Sequence, residues 1–368
     1  MRIACLAPLI APVLPAGPYG PHAFLVDLAR SLAGRGHEVV VYCAEGSRAP
    51  GLELRRIRVD PLVAGSRVLP PAGAAMASVR GAEAPAGGSE AVAAAVRAAF
   101  EGAVDAIRRD GADVVSQHAF DAEAIELAED LPVLHTLHLP PIEPSVVAAA
   151  RTTRAALATV SERCRRDWEG AGVAVPRVLR DGVPDSHPGR PAVEPVALMA
   201  GRFSPEKGTA AGIRVALRAG LLPRLVGEPY DQAYFRGEVA PLLGLVDFIP
   251  TVARPELWRL MARATVTLLP IAWEEPFGLV AAEAQMAGCP VVGYRRGALP
   301  EIVEEGVSGL LVEPDDEDAL VAAMEIARRL DRGRVRASAR RRLGLETAVA
   351  AYERALTEVG RGTGEGFP

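Results

Sequence analysis

The chain has 368 residues, with 46 acidic and 41 basic side chains, a net charge of −5, 49% hydrophobic residues and 24% charged ones. That length suits two domains of ordinary size, and the composition excludes wholesale disorder. The acidic balance offers no general attraction to nucleic-acid phosphates or anionic lipid.

Residues 1–16 are apolar, but Pro8, Pro12 and Pro15 interrupt them and only Arg2 adds charge, so they read as a strand and a loop rather than a signal peptide. No run approaches the roughly 20 apolar residues of a membrane-spanning helix, and peripheral membrane association stays open. Residues 2–7 read as the first strand and residues 22–33 as an amphipathic helix closed by Gly34 and Gly36. Strands follow at 38–42, 112–116, 132–136 and 157–160, separated by helical segments. This alternation predicts a parallel sheet with helical crossovers. Residues 64–89, rich in Ala, Gly and Pro, carry neither period and read as a loop.

Residues 181–195 hold Gly182, Pro184, Pro188, Gly189, Pro191 and Pro195, the composition of an interdomain linker. Beyond it, strands are expected at 196–200, 224–226, 246–249, 265–269 and 290–293, so the second half is another parallel α/β domain. The expected division is a first domain over 1–184, a second over 185–345, and a final segment over 346–368 whose helix crosses back to the first and ends in a flexible tail. Two such domains facing each other would bind a ligand in a cleft at the carboxyl ends of their strands. The four cysteines, Cys5, Cys43, Cys164 and Cys289, form neither a CxxC pair nor a disulfide framework, which points to a reducing, cytoplasmic compartment.

The chemistry concentrates in Glu274-Glu275-Pro276-Phe277-Gly278-Leu279-Val280-Ala281-Ala282-Glu283, continuing to Gly288-Cys289-Pro290-Val291-Val292. It follows a strand and reads as loop, helix and next strand, with Pro276 in the helix's first turn. The amides of Phe277, Gly278, Leu279 and Val280 would be donors at the positive helix end, a cradle for phosphate or sugar oxygens. Glu275 before the helix and Glu283 two turns into it can reach different hydroxyl pairs of one ligand. On its own, a Glu-x7-Glu spacing is what an ordinary solvated helix shows. Arg202 and Lys207 stand just after a strand, where doubly wound folds hold phosphates; solvated loop cations are the other reading. Asp315, Asp316 and Asp318 read as helix N-terminal charges, and no metal-ligand set is found.

These blocks resemble glycosyltransferase family 4, retaining enzymes of GT-B architecture, in the E-x-F-G-L-x-x-x-E-A-x-A-x-G-x-P-V-V signature. Gly297 to Val303 and Gly306 to Val312 match its G-x-x-P-E-I-V and G-x-x-G-x-L-V blocks, and Gly201 to Gly208 its G-R-x(4)-K-G block. The resemblance implies two Rossmann-like domains and a nucleotide-sugar co-substrate, a UDP- or GDP-sugar, with no other cofactor and no metal. Arg202 and Lys207 would neutralise the departing diphosphate, Glu283 hold the ribose, and Glu275 with the Phe277 to Val280 amides orient the sugar. Gly201 belongs to the diphosphate block, and Gly20 to the glycine-rich loop after the first strand, although Gly20-Pro21 replaces the family's glycine pair and Pro21 lacks an amide donor. His118 matches the histidine that touches the donor sugar; His138 is a candidate on the acceptor side, and His135 competes with both. Asp181 stands where the family has asparagine. The partners implied are the donor and a small-molecule or lipid-linked acceptor, for a monomer or homodimer. A sugar-nucleotide epimerase or hydrolase, or a sugar-nucleotide-binding protein without turnover, remain as rivals. Trp273 stacks on a ligand or packs in the core, and the arginines around 163–166 and 328–342 read as solvated faces.

Overall fold

The structure is a computed structural model, and it describes residues 1–15, 20–60, 63, 89–186, 188–189 and 191–362. Within those residues the chain divides into two units, one from 1–15, 20–60, 63, 89–181 and 346–362, the other from 182–186, 188–189 and 191–345. Of the loop expected at 64–89, residues 64–88 lie outside the described residues, as do residues 16–19, while Ser89 begins a helix.

The first unit is a parallel sheet of β1 (Arg2–Leu6), β2 (Glu38–Ala44), β3 (Glu53–Ile57), β4 (Val114–Gln117), β5 (Val133–Leu137), β6 (Ala156–Thr159) and β7 (Arg177–Val178). Its order is β3-β2-β1-β4-β5-β6-β7. β4 and β5 are buried along their whole length, because helices cover both faces of such a sheet. β3 escapes the sequence pattern since it is an edge strand, Glu-Leu-Arg-Arg-Ile, with two exposed arginines instead of an apolar run. On one face the helix Ser89–Asp110 buries Val96, Phe100, Val104 and Ile107, spaced by about one turn each, against Leu6, Val40, Tyr42 and Val115. The helices Gly20–Gly34 and Leu345–Gly360 bury Phe24 and Tyr352, whose ring centroids are 5.3 Å apart.

The second unit is a parallel sheet of β8 (Glu194–Phe203), β9 (Leu222–Pro229), β10 (Asp247–Ile249), β11 (Ala264–Leu269), β12 (Val291–Tyr294) and β13 (Gly309–Val312). Its order is β10-β9-β8-β11-β12-β13. Val183 is held between Leu343 and Leu345 by two backbone hydrogen bonds of 2.9 Å, so the unit's first and last residues run side by side. Three arginines of the helix Arg332–Leu343 depart from the expected solvated face, while Arg334, Arg340 and Arg341 are exposed as expected. Arg332 donates to the carbonyls of Ala262 and Ala264, Arg336 to that of Met286, and Arg342 to those of Glu301 and Ile302. A guanidinium carries five donors in a fork, and here those donors satisfy orphan carbonyls at the ends of neighbouring elements.

Candidate functional site

In each sheet the strand order reverses once, between β1 and β4 and between β8 and β11. In a doubly wound sheet the crevice outside such a reversal is where ligands bind, because the flanking loops diverge to opposite faces. Of the residues singled out in the sequence, Arg202 lies at the end of β8, Lys207 and Glu275 lie on the loops after β8 and β11, and His118 follows β4, whereas His138 follows β5 and Glu283 lies within a helix.

In the second unit β8 and β11 pair in parallel, so their carboxyl ends emerge side by side. The loop after β8 is a single 3-10 turn, Pro205–Lys207, ended by Gly208. Gly208 has φ +66, and a Cβ there would stand 2.0 Å from the Pro270 carbonyl oxygen, so only glycine lets this loop touch the one after β11. The Ala272 amide donates to the Glu206 carbonyl at 2.8 Å, lacing the two loops together. Across that seam the Lys207 ammonium donates to Glu275 Oε2 at 2.6 Å. The Trp273 indole donates to the same oxygen at 2.7 Å, and its ring lies 5.0 Å below the Lys207 ammonium. Trp273 is buried, so its ring serves this cluster.

Gly297 braces the Glu275 loop from the third side. Its amide donates to Glu274 Oε2 at 2.6 Å, and the Ala298 amide to the Glu275 carbonyl at 2.8 Å. Its φ is +57 and a Cβ would stand 2.2 Å from the Glu275 amide nitrogen. The G-x-x-P-E-I-V block thus acts as the support of the Glu275 loop.

Arg202 is held by Glu206 Oε1 at 3.3 Å and stacks over Tyr230 with its guanidinium 4.4 Å from the ring centroid. Ser204 donates to the same Glu206 oxygen at 2.6 Å. Gly201 has φ +127 and lies at the β8 end beside Arg202. The expected helix starts later than its proline suggested: it spans Leu279–Met286 with Gly278, at φ 97, as its N-cap. Pro276 is therefore outside the first turn, since Phe277 is buried and Gly278 turns the chain in between. The Ala282 amide donates to the Gly278 carbonyl at 3.1 Å, which leaves the first-turn amides of Leu279, Val280 and Ala281 without helical partners. Glu283 is buried and pairs with Arg254, whose Nε donates to Oε1 at 2.8 Å. Arg254 carried no motif signal, 29 residues before its partner. Among the described residues no group of three His, Cys, Asp or Glu is placed to hold a metal ion.

In the first unit Gly20 and Pro21 open the helix Gly20–Gly34 rather than closing a loop, so Pro21 lies in a first turn, where a missing amide costs no helical bond. His118, directly after β4, is fully buried. Its Nε2 is 2.8 Å from Ser116 Oγ and its Nδ1 is 2.8 Å from His138 Nε2, so both ring nitrogens are engaged. To meet a sugar hydroxyl, His118 must give up the Ser116 contact. His138 Nδ1 stands 3.9 Å from Asp181 Oδ1. Tyr352 stacks on His118, 5.9 Å between centroids, and Phe24 packs edge-on at 6.3 Å. Burial holds His118 well below the ordinary imidazole range, with His138 adding to the effect, and brings His138 down to about 3. Burial likewise pushes the Asp181 carboxyl well above the usual carboxylate range. His135 is separate from this file: it is buried, both its ring nitrogens lack partners among the described residues, and burial lowers it to about 3.

Two Rossmann-like parallel sheets with the ligand-side loops described above define the class, the GT-B fold. Solved structures that share it include the following two. AviGT4, a glycosyltransferase involved in avilamycin A biosynthesis, aligns with a TM-score of 0.71 and 23% identity over 98% of each chain. Anabaena HepE in complex with UDP-glucose aligns with a TM-score of 0.70 and 19% identity over 97% of this chain and 100% of that one. Residues 186–342, most of the second unit, match the model of the family "glycosyl transferases group 1". A D-inositol 3-phosphate glycosyltransferase from a Nocardioides species is 37% identical over 150 residues, 35% of this chain and 32% of that protein. One from Thermobifida fusca is 41% identical over 93 residues, 24% of this chain and 21% of that protein. The matched stretch thus spans about a third or less of these two relatives.

Proposed function

We propose that the chain is a retaining glycosyltransferase that moves a sugar from a nucleotide-sugar to an acceptor hydroxyl without a metal. The observation that carries this reading is the Lys207–Glu275 contact of 2.6 Å, which joins two motif blocks 68 residues apart beside the first-turn amides of a helix. A cation, a carboxylate and free amides at one strand reversal are what a diphosphate joined to a sugar needs.

In this reading Arg202 and Lys207 face the diphosphate. As the bond between the anomeric carbon and the phosphate oxygen breaks, negative charge collects on the leaving group, and two fixed cations stabilise it more than the ground state. Glu275 gives up part of its hold on Lys207 to a sugar hydroxyl, while Glu283, steadied by Arg254, accepts from the ribose hydroxyls. The acceptor oxygen forms its bond to the anomeric carbon on the face the diphosphate leaves, so the configuration is retained, and its proton passes to a phosphate oxygen. His118 serves the sugar, by resemblance. The complex of HepE with UDP-glucose favours a uridine donor here; the acceptor is a small molecule or a lipid-linked one.

The test is a thermal-shift panel of nucleoside diphosphates and their sugars, followed by turnover of the binding donor against acceptors in the presence of a chelator. A donor at a hundred times its dissociation constant stabilises by roughly 2.7 kcal/mol. Lys207→Ala is expected to lower kcat by about a hundredfold or more, the usual loss for one preorganised charge-stabilising group. No shift with any nucleotide, or full turnover by folded Lys207→Ala, sinks the reading.

A further inference from the structure

The first unit contains a file of buried polar groups, of which the transfer scheme uses only His118. Ser116 Oγ, His118 and His138 follow one another at 2.8 Å and 2.8 Å, and Asp181 stands 3.9 Å beyond. The file runs from the end of β4 through the residue after β5 to the last residue of the unit before the chain leaves it. Titratable groups facing it are His22, from the helix Gly20–Gly34, and Tyr352, from the helix Leu345–Gly360. His22 is anchored elsewhere, 3.2 Å from the Pro8 carbonyl, and Tyr352 Oη donates to the Leu179 carbonyl at 3.3 Å.

Proton counting leaves the file two states. A neutral imidazole has one N–H, and the nitrogen that carries it is set by what the other nitrogen meets. The 2.8 Å bond between the rings needs one donor and one acceptor. If His118 Nδ1 donates, His138 must carry its proton on Nδ1, facing Asp181, and His118 Nε2 is bare. If instead His138 Nε2 donates, His138 Nδ1 is bare toward Asp181 and His118 carries its proton on Nε2. An ionised Asp181 favours the first state and a protonated one the second, because a carboxylic acid can donate to a bare nitrogen. The gap of 3.9 Å shrinks to a hydrogen bond with a shift of about 1 Å.

We propose that Asp181, acting through His138, is a positioning residue that holds His118 in the Nε2–H form, so that the nitrogen bonded to Ser116 is a donor, which a ligand hydroxyl meets once the Ser116 contact is given up. Among the described residues no arginine or lysine forms an ion pair with Asp181, and its burial favours the protonated acid this state requires. The same geometry explains why an amide would serve at this position: an asparagine N–H meets a bare Nδ1 as an acid O–H does. The proposal rests on the reading of His118 as the sugar-facing group.

The test is histidine-selective ¹⁵N NMR of the whole chain at neutral pH, with kinetics alongside. His118 is expected as the Nε2–H tautomer in the native protein and in Asp181→Asn. In Asp181→Ala the two tautomers mix, kcat falls by roughly a factor of ten and the donor KM is little changed, the size of loss seen when a group that orients another is removed. His118 found protonated on Nδ1 in the native protein overturns the proposal, as does a folded Asp181→Ala with an unchanged tautomer. Should Asp181→Ala not fold, Asp181→Asn decides, since a switch there to Nδ1–H also overturns it. A tautomer that moves while kcat does not would leave the coupling standing and remove His118 from the transfer scheme.

Discussion

Acidification is expected to unfold the first unit while the second persists. Four histidines of that unit, His22, His118, His135 and His138, are buried and lowered by desolvation, to about 4, well below the ordinary range, about 3 and about 3. For a base whose folded pKa is depressed, the unfolded chain binds the extra proton, so stability is full above the unfolded value and falls with pH below it. From about pH 7 to about pH 5, each such histidine costs roughly 2 kcal/mol, or roughly 8 kcal/mol for four. Asp181 acts in the opposite sense: its folded pKa is raised, so its contribution is present at low pH and lost as the pH rises. Over the same interval it returns at most roughly 3 kcal/mol. The balance, roughly 5 kcal/mol, is comparable to the whole stability of an ordinary domain. Urea unfolding in a Trp258→Phe, Trp273→Phe background leaves the buried Trp168 as reporter of the first unit. The expected result is a midpoint that drops steeply between the two pH values. His135→Leu, which removes a histidine with no partner among the described residues, is expected to raise stability and flatten the slope by about one proton. An unchanged midpoint, or an unchanged slope in His135→Leu, refutes the reasoning.

The remaining predictions concern the second unit. Gly297→Ala would place a methyl against the Glu275 backbone at a φ of +57, so it is expected to cost about 2 kcal/mol or more and to weaken donor binding, as read by denaturation and thermal shift. Equal stability and equal donor binding would show that the Gly297 turn does not support Glu275. Lys207→Met and Glu275→Gln are each expected to destabilise the ligand-free unit, with a coupling of about 1 kcal/mol in a double-mutant cycle. The side chains are 23% and 14% exposed, which keeps that figure modest. Strict additivity would mean that the 2.6 Å contact contributes nothing.

Much of the molecule was legible from the order of its residues. Short apolar runs such as Val291–Tyr294, bounded by turn residues, read as strands buried on both faces, and their alternation with helical segments points to parallel sheets. The Arg202 to Gly208 and Glu275 to Glu283 blocks were visible because a ligand with defined groups demands defined residue types at short spacing. β3 and β7 were not, since an edge strand of Glu-Leu-Arg-Arg-Ile and a strand of two residues have no apolar period to read. Pro276 misled for a local reason: a proline suits a first turn, but Gly278 in the left-handed region postponed the helix to Leu279. What only the tertiary structure decided is which groups meet. Lys207 on Glu275, Arg254 on Glu283, and the file from Ser116 to Asp181 join residues brought together by strand order and by crossovers. Periodicity carries the faces of elements; contacts between distant residues depend on how those elements pair, and burial then sets which of the groups keep their charge.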